Sequence, residues 1–502
     1  MTKKISYNQI LNSSFIMGSA AGINLLLGMI RVKFVSVLIG TTGVGLQTSL
    51  TTIQVLVGTL FGLGIQTSAV REVAAAVSKQ DDQAIGAAVL VLRRICWLTG
   101  LAGMAAMIIF SPLLSKLSFG TSEYTFDIAV LGLVVLFGNL SGGQMALIQG
   151  MRRIGDMARA NIIGAVFATV AAIGFYSLLG LRGIVPALVS IAAMQLAISW
   201  FFARRVPVPP VTLTWRETWK GAGVMVRMGL LFMWTMLLGN GVAYFTATLV
   251  SQKIGLQAVG LYSAAFNLSG IFVNIVLNAM GADYYPRLTG VVDDKVALNR
   301  MVNEQSEIGL LLAVPGLLAT MVLAPWIINL FYTAEFLPAT ELLQWYVLGC
   351  LGRVIAWPLG YVLPAMGKSR WYLITESSFH FIHVMLIAIG LFIFDIQGLA
   401  IAFFVMYMFY GIAVYFVVRH LVGFRWSQDF KKIVFLVIPI FVITLVVLRW
   451  LSLWTGSIVG GVLVIGVSFF CLRELIPKIG RDHRLVKFIS KIPGSRFMFC
   501  LP

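Results

Sequence analysis

Apolar runs long enough to cross a bilayer recur from one end of this chain to the other, and they fix its solvent before anything else. A helix crossing the hydrocarbon core needs about 20 consecutive apolar residues. Runs of that kind fall near residues 11–39, 47–69, 88–111, 126–150, 158–180, 183–203, 222–251, 259–282, 305–331, 340–366, 371–394, 396–418, 433–450 and 453–472. Lipid offers no partner to backbone amides, so only helices or closed barrels span it, and these runs are too long for barrel strands. Composition agrees: 59% of the 502 residues are hydrophobic and 11% charged, against about 25% charged in a soluble domain. The expected fold class is an all-α polytopic membrane protein with about 14 transmembrane helices.

A net charge of +18 would raise nucleic acid as a partner for a soluble chain. In a membrane chain it reports topology, because cytoplasmic loops collect Lys and Arg. With the N-terminus placed inside, only Lys116, Arg182, Lys253 and Arg449 fall on the far side, and Arg31, Lys33 and Arg353 lie within spans. The rest of the 37 basic residues fall in cytoplasmic loops or at helix ends. A missing span would mix the two sides from that point on, so both termini are expected in the cytoplasm. The opening MTKKISYNQILNSSF carries no small-residue cleavage site, which makes the first run a retained span. Cys96, Cys350, Cys471 and Cys500 are scattered, with neither metal spacing nor a disulfide framework, and read as small apolar fillers.

The far-side connections are short and leave no room for an external domain. The cytoplasmic connector 204–221 is different. Its VPVPP is stiff and extended, and Thr214 to Glu217 (TWRE) is a capping-box pattern predicting a short helix on the membrane surface. From Arg473 onward basic residues alternate with Leu485, Phe488, Ile489 and Ile492, a pattern suited to an anionic cytoplasmic leaflet.

The chain also repeats itself. Ile39-Gly40-x-x-x-Val44-Gly45-Leu46 returns as Ile254-Gly255-x-x-x-Val259-Gly260-Leu261. Arg71 is matched by Arg287, and Gly150-x-x-Arg153 by Gly367-x-x-Arg370, at nearly the same separation. The period is six spans, an even number, so the halves are parallel repeats. This predicts an N-lobe over 1–203, a linker over 204–221, a C-lobe over 222–419, two added spans over 420–473 and a basic tail over 474–502. The glycines themselves need mean only turns with positive φ or close helix approach.

Polar residues in the first two spans of each half fall on single helical faces. Span 1 aligns Asn24, Gly28 and Arg31; span 2 aligns Gln47, Thr51, Gln54 and Gly58; span 7 aligns Asn240, Tyr244, Thr248 and Ser251; span 8 aligns Asn267, Asn274 and Asn278. Such stripes line a wet cavity or hydrogen-bond between helices. Arg31 is the sharpest case, because a mid-membrane cation costs at least about 2.5–3.5 kcal/mol and faces a pathway or a partner. No carboxylate precedes Glu72 in the first two spans. Lys33 points elsewhere on a straight helix, and Arg353 lies inside span 10. Glu376, His380 and His383 share a face of span 11; they fit proton coupling or interhelical contact, and with no HExxH present a metal is not expected.

Fourteen spans, the six-plus-six-plus-two repeat, and the segment from Arg31 to Arg71 with its LIGTTGVGL turn and GLGIQTSAVRE close resemble the multidrug/oligosaccharidyl-lipid/polysaccharide exporter superfamily. Within it the chain is most similar to the polysaccharide-transporter branch, the Wzx-type flippases. The resemblance implies a monomer in a bacterial cytoplasmic membrane that moves an undecaprenyl-diphosphate-linked oligosaccharide outward by alternating access. Membrane lipids and other polysaccharide-assembly proteins would be its partners, without a cofactor but with H+ or Na+ coupling open. By position, Arg31 and Lys33 would receive the diphosphate, and Arg71 and Arg287 would sit at the cytoplasmic mouth. Cations in span 1 suit a diphosphate. A peptidoglycan lipid-precursor flippase or a drug exporter is the alternative within the superfamily. A membrane glycan polymerase or ligase is the alternative outside it.

Overall fold

A computed structural model describes the backbone of residues 2–479 and the side chains of 19–478 apart from position 282. The expected leaflet-bound segment with Leu485, Phe488, Ile489 and Ile492 lies outside the described residues.

Apolar composition without backbone partners in lipid leaves helix as the solution, and no strand occurs among the described residues. The helices are α1 (Thr2–Gly62), α2 (Ile65–Ser78), α3 (Asp82–Phe119), α4 (Thr125–Gly150), α5 (Ile154–Leu179), α6 (Ile184–Ala203), α7 (Trp215–Lys253) and α8 (Leu256–Thr289). They continue with α9 (Lys295–Val322), α10 (Ala324–Phe331), α11 (Ala339–Gly360), α12 (Val362–Ala365), α13 (Ser369–Ile393), α14 (Gln397–Val422), α15 (Gln428–Trp450) and α16 (Leu453–Ile479). Among the described residues, 12 helical stretches are long and apolar enough to cross a membrane. Two of them are double. Ser19–Gly62 bends at Gly40, and Ile154–Ala203 passes through the 3-10 turn Gly180–Gly183. Dividing both recovers the predicted fourteen.

The repeat is written in the backbone. Gly40 and Gly255 both take positive φ, at 63° and 118°, so the first glycine of each motif copy turns the chain. The second glycine of each copy does the other job. A Cβ on Gly45 would lie 1.8 Å from the Leu256 carbonyl oxygen, and one on Gly260 would lie 2.1 Å from that of Thr41. The two motif copies therefore pack on each other with backbone touching backbone.

The same separation links two further pairs of left-handed residues, Arg152 with Gly367 and Gly180 with Asp395. At the first pair the hydrogen bonding is also shared. The Arg153 amide donates to Ile148 O at 3.0 Å, as the Lys368 amide does to Leu363 O at 3.0 Å. Both are Schellman closures. The turn thus aligns Arg152, not Gly150, with Gly367; the sequence match at glycine was displaced by two residues.

Thr214 and Glu217 form both halves of the predicted capping box, with Thr214 N–H donating to Glu217 Oε2 at 2.7 Å and Glu217 N–H to Thr214 Oγ1 at 3.3 Å. The helix it opens is not short, however. It is α7 itself, 39 residues without a break. Nothing after Trp219 stops it, because no Pro or left-handed Gly intervenes before Lys253. The connector before it is fastened to α3: Arg94 donates to Leu213 O at 2.9 Å and to Thr218 Oγ1 at 2.6 Å, and its guanidinium lies 4.9 Å from the Trp215 ring centroid.

Contacts divide the chain into two compact units, Met1–Gly260 with Phe331–Glu335 and Leu261–Leu330 with Phe336–Pro502. The division falls after α7 rather than in the 204–221 linker, because α7 packs along α1, α2 and α3. In the first unit Leu50, Ile53, Met107, Ile128, Leu131 and Ala187 form a fully buried centre. In the second, Tyr284, Leu298, Leu359, Val362, Val418 and Phe424 do the same. Large apolar side chains such as Phe126, Leu178, Phe392 and Phe435 remain exposed, as a surface solvated by lipid requires.

Candidate functional site

In the first unit, α1 carries Arg31 half-buried and within electrostatic range of Tyr176, whose hydroxyl is buried in α5. No ion pair of Arg31 occurs among the described residues. Lys33 is placed differently. Its ammonium donates to the carbonyl oxygen of Tyr332, so at least one of its three donors is held by backbone. Asn24 is half-buried, and its Oδ1 has no hydrogen-bond partner among the described residues.

The polar face of α7 turns onto its neighbours. Asn240 Nδ2 donates to Thr59 Oγ1 at 2.9 Å, and the Tyr244 hydroxyl is 3.1 Å from that of Ser118. For these two residues the structure shows hydrogen bonding between helices. Gln47 is half-buried on α1. Gln54 lines a cavity of about 260 Å³ together with Gly58, Thr59, Gln66 and Asn139. Gly62 and Gly64 line it on either side of the break between α1 and α2, where Leu63 and Gly64 take positive φ. The Asn139 amide nitrogen there is buried and has no partner among the described residues. Arg71 is exposed, with Nη1 3.0 Å from Met228 Sδ.

The second unit presents the opposite arrangement on α8. Asn267, Asn274 and Asn278 are all exposed, a face of three amides that lipid alone could not satisfy. Arg287 lies exposed beyond it and pairs with Asp283 at 3.0 Å. On α13 two of the predicted trio, Glu376 and His380, join a polar cluster with Tyr410, and His383 lies against an aromatic ring. The Tyr410 hydroxyl donates to Glu376 Oε1 at 2.9 Å, His380 Nδ1 lies 2.8 Å from the Glu376 carbonyl, and the His383 ring centroid is 6.0 Å from that of Phe403. Arg353 on α11 interacts electrostatically with Tyr407 and Cys350. Among the described residues no group of three or more His, Cys, Asp and Glu could hold a metal ion.

Thr59, Ser118, Asn139, Tyr332, Tyr407 and Tyr410 were not singled out in sequence. Thr59 and Tyr410 stand in apolar runs without a stripe of their own, so only a partner on another helix gives them meaning. Asn139 carried a readable signal, an amide in the middle of an apolar span. Glu341, at the start of the helix that carries Arg353, is held by Arg449 and Gln397.

Duplicated helical halves, a cation in α1 without an ion pair among the described residues and an amide face on α8 define a polytopic helical membrane protein. Solved structures of that kind share the fold. An inward-facing multidrug-resistance MATE transporter of the MOP superfamily matches with a TM-score of 0.68 at 16% identity, covering 82% of this chain and 96% of the other. The lipid II flippase MurJ, in an inward closed conformation, matches at 0.66 and 14% identity over 93% and 99%. The chain belongs to the family described as polysaccharide biosynthesis protein, whose model matches residues 38–341, more than half its length. The lipid III flippase of Escherichia coli K12 is 23% identical over 364 residues, 70% of this chain and 84% of that one, and the Shigella flexneri protein of the same name matches equally. This is a multi-pass protein of the inner membrane.

Proposed function

We propose that this protein is a flippase that carries an undecaprenyl-diphosphate-linked oligosaccharide from the inner to the outer leaflet by alternating access, in surface-polysaccharide (O-antigen or exopolysaccharide) biosynthesis. The observation that carries the reading is Arg31, a half-buried guanidinium in an apolar span with no carboxylate paired to it among the described residues. A guanidinium so placed is an anion receptor waiting for its counter-charge, and its planar fork suits a diphosphate. Membership of the polysaccharide-biosynthesis family and likeness to a lipid III flippase support a lipid-linked glycan as the anion.

In this reading Arg31 and Lys33 hold the diphosphate, with Asn24 on the same helix contributing its amide. The amides Gln47, Gln54, Asn267, Asn274 and Asn278 exchange hydrogen bonds with sugar hydroxyls as the headgroup moves. Asn240 and Tyr244, bonded to other helices, hold the walls in place, and Arg353 adds positive potential. Arg71 and Arg287, both exposed, collect the anionic headgroup at the cytoplasmic mouth. The polyprenyl tail stays in lipid. Glu376, with Tyr410 donating to it and His380 beside it, is the place for a coupling proton or Na+. Alternating access in this reading is movement of two lobes; the repeat predicts them as 1–203 and 222–419, and α7 packs with α1, α2 and α3 in the first compact unit.

The test is complementation of a flippase-deleted strain. Arg31→Ala is expected to abolish export of the lipid-linked sugar while the protein still reaches the membrane, and Arg31→Lys to restore part of it. Full export by Arg31→Ala would overturn the role of this residue.

A further inference from the structure

The first unit contains a second cavity, of about 900 Å³, that includes none of the residues assigned to translocation. It is bounded by α3, α4, α6 and the start of the connector, and its walls are largely apolar, with Leu92, Phe137, Leu140, Leu147 and Leu196 among the residues that line it. At its wall Gln144 Oε1 accepts a hydrogen bond from Ser199 Oγ at 2.8 Å. What distinguishes the cavity is its rim. Two exposed arginines, Arg93 and Arg204, border it, and so do two half-exposed tryptophans, Trp97 at 52% and Trp200 at 54%. The Arg204 guanidinium lies 4.8 Å from the Trp200 ring centroid.

Tryptophan prefers the headgroup level, where one edge of the ring is wet and the other apolar. Arginine at that level pairs with phosphate through its planar fork. The positive-inside distribution assigns this rim to the cytoplasmic leaflet, whose surface is anionic. An apolar slot with a doubly cationic rim at the height of lipid phosphates matches one kind of occupant: an acyl chain in the slot and an anionic phosphate at the arginines.

We propose that this slot is a binding site for a single anionic phospholipid of the cytoplasmic leaflet, separate from the translocation path. The lipid tail fills the apolar cleft, and the headgroup meets the arginines of the rim, Arg93 on α3 and Arg204 at the end of α6. Occupancy would hold the connector, whose Val206 and Val208 complete the wall, against the bundle.

The experiment uses the full-length protein purified in mild detergent and reads retained lipid by native mass spectrometry, with phosphatidylglycerol and phosphatidylcholine offered at equal concentration. One phosphatidylglycerol should be retained about tenfold better than phosphatidylcholine. The double variant R93Q/R204Q should lose that preference. A197W, which fills the slot at an exposed position and keeps both charges, should lose retention of both lipids. Size-exclusion profiles matching the wild type confirm that each variant is folded. Equal retention of the two lipids by the wild type, or unchanged phosphatidylglycerol retention in both variants, would overturn the site. Displacement by millimolar inorganic phosphate would show a charge cluster without a lipid slot, and displacement by undecaprenyl phosphate in preference to phosphatidylglycerol would return the slot to the substrate.

Discussion

At the scale of single residues, two glycines and one arginine carry the clearest consequences. Gly45 and Gly260 bring two backbones into contact, so any side chain there must push a carbonyl away. Gly45→Val should destabilise by about 1–3 kcal/mol, read as a lower midpoint in thermal unfolding in detergent. Gly28→Ala, where nothing lies within 4 Å of a new Cβ, is the matched control and should leave the midpoint unmoved. Arg152 is the converse. It occupies, at φ 56°, the left-handed position that the other repeat fills with Gly367. Arg152→Gly should therefore raise the midpoint, and Gly367→Ala should lower it by about 1 kcal/mol equivalent. In sequence Gly150 matches Gly367 by identity; the hydrogen bonds of the turn match Arg152, a residue of another type, to it by geometry.

Helix by helix, the difference between α7 and α8 decides how the amide stripes are read. Both stripes have helical spacing and both looked alike in sequence. Asn240 and Tyr244 on α7 find hydroxyl partners on Thr59 and Ser118, whereas Asn267, Asn274 and Asn278 on α8 stay exposed. In a background lacking the native cysteines, Cys at 267, 274 or 278 should react with a membrane-impermeant maleimide, while Cys at the apolar position Ile275 should not. Equal protection at all four would place the α8 stripe against lipid or protein. The connector offers an independent measure. Thr214→Ala removes one half of the capping box and should cost about 1 kcal/mol, and Arg94→Gln should loosen the same segment by detaching Leu213 and Thr218, seen as faster proteolysis between residues 204 and 221.

On the scale of the whole molecule, the duplication organises both topology and proposed movement. A reporter that fluoresces only in the cytoplasm, fused to the C-terminus, should be bright, and one fused after Lys253 should be dark; the reverse result would invert the positive-inside assignment. The helix count, the class and the parallel repeat were all legible in sequence, because span length, Lys/Arg placement and motif separation are one-dimensional quantities. The division of compactness was not. The linker is where composition changes, but α7 follows its packing on α1, α2 and α3, and nothing in the composition of α7 names those helices as its neighbours.

The chain by itself determined that it must live in a bilayer as helices, that its two halves repeat, and that a cation sits in its first span; these follow from the cost of apolar surface in water and of charge in lipid. Only the tertiary structure decided what each polar group faces. It gave Lys33 a backbone carbonyl, Glu341 an arginine and a glutamine, and Glu376 a tyrosine, while leaving Arg31 without an acidic partner among the described residues. A hydrogen bond or ion pair between distant segments depends on distances of about 3 Å, and those are set by the packing of segments 34 to 299 residues apart, which no spacing along the chain encodes.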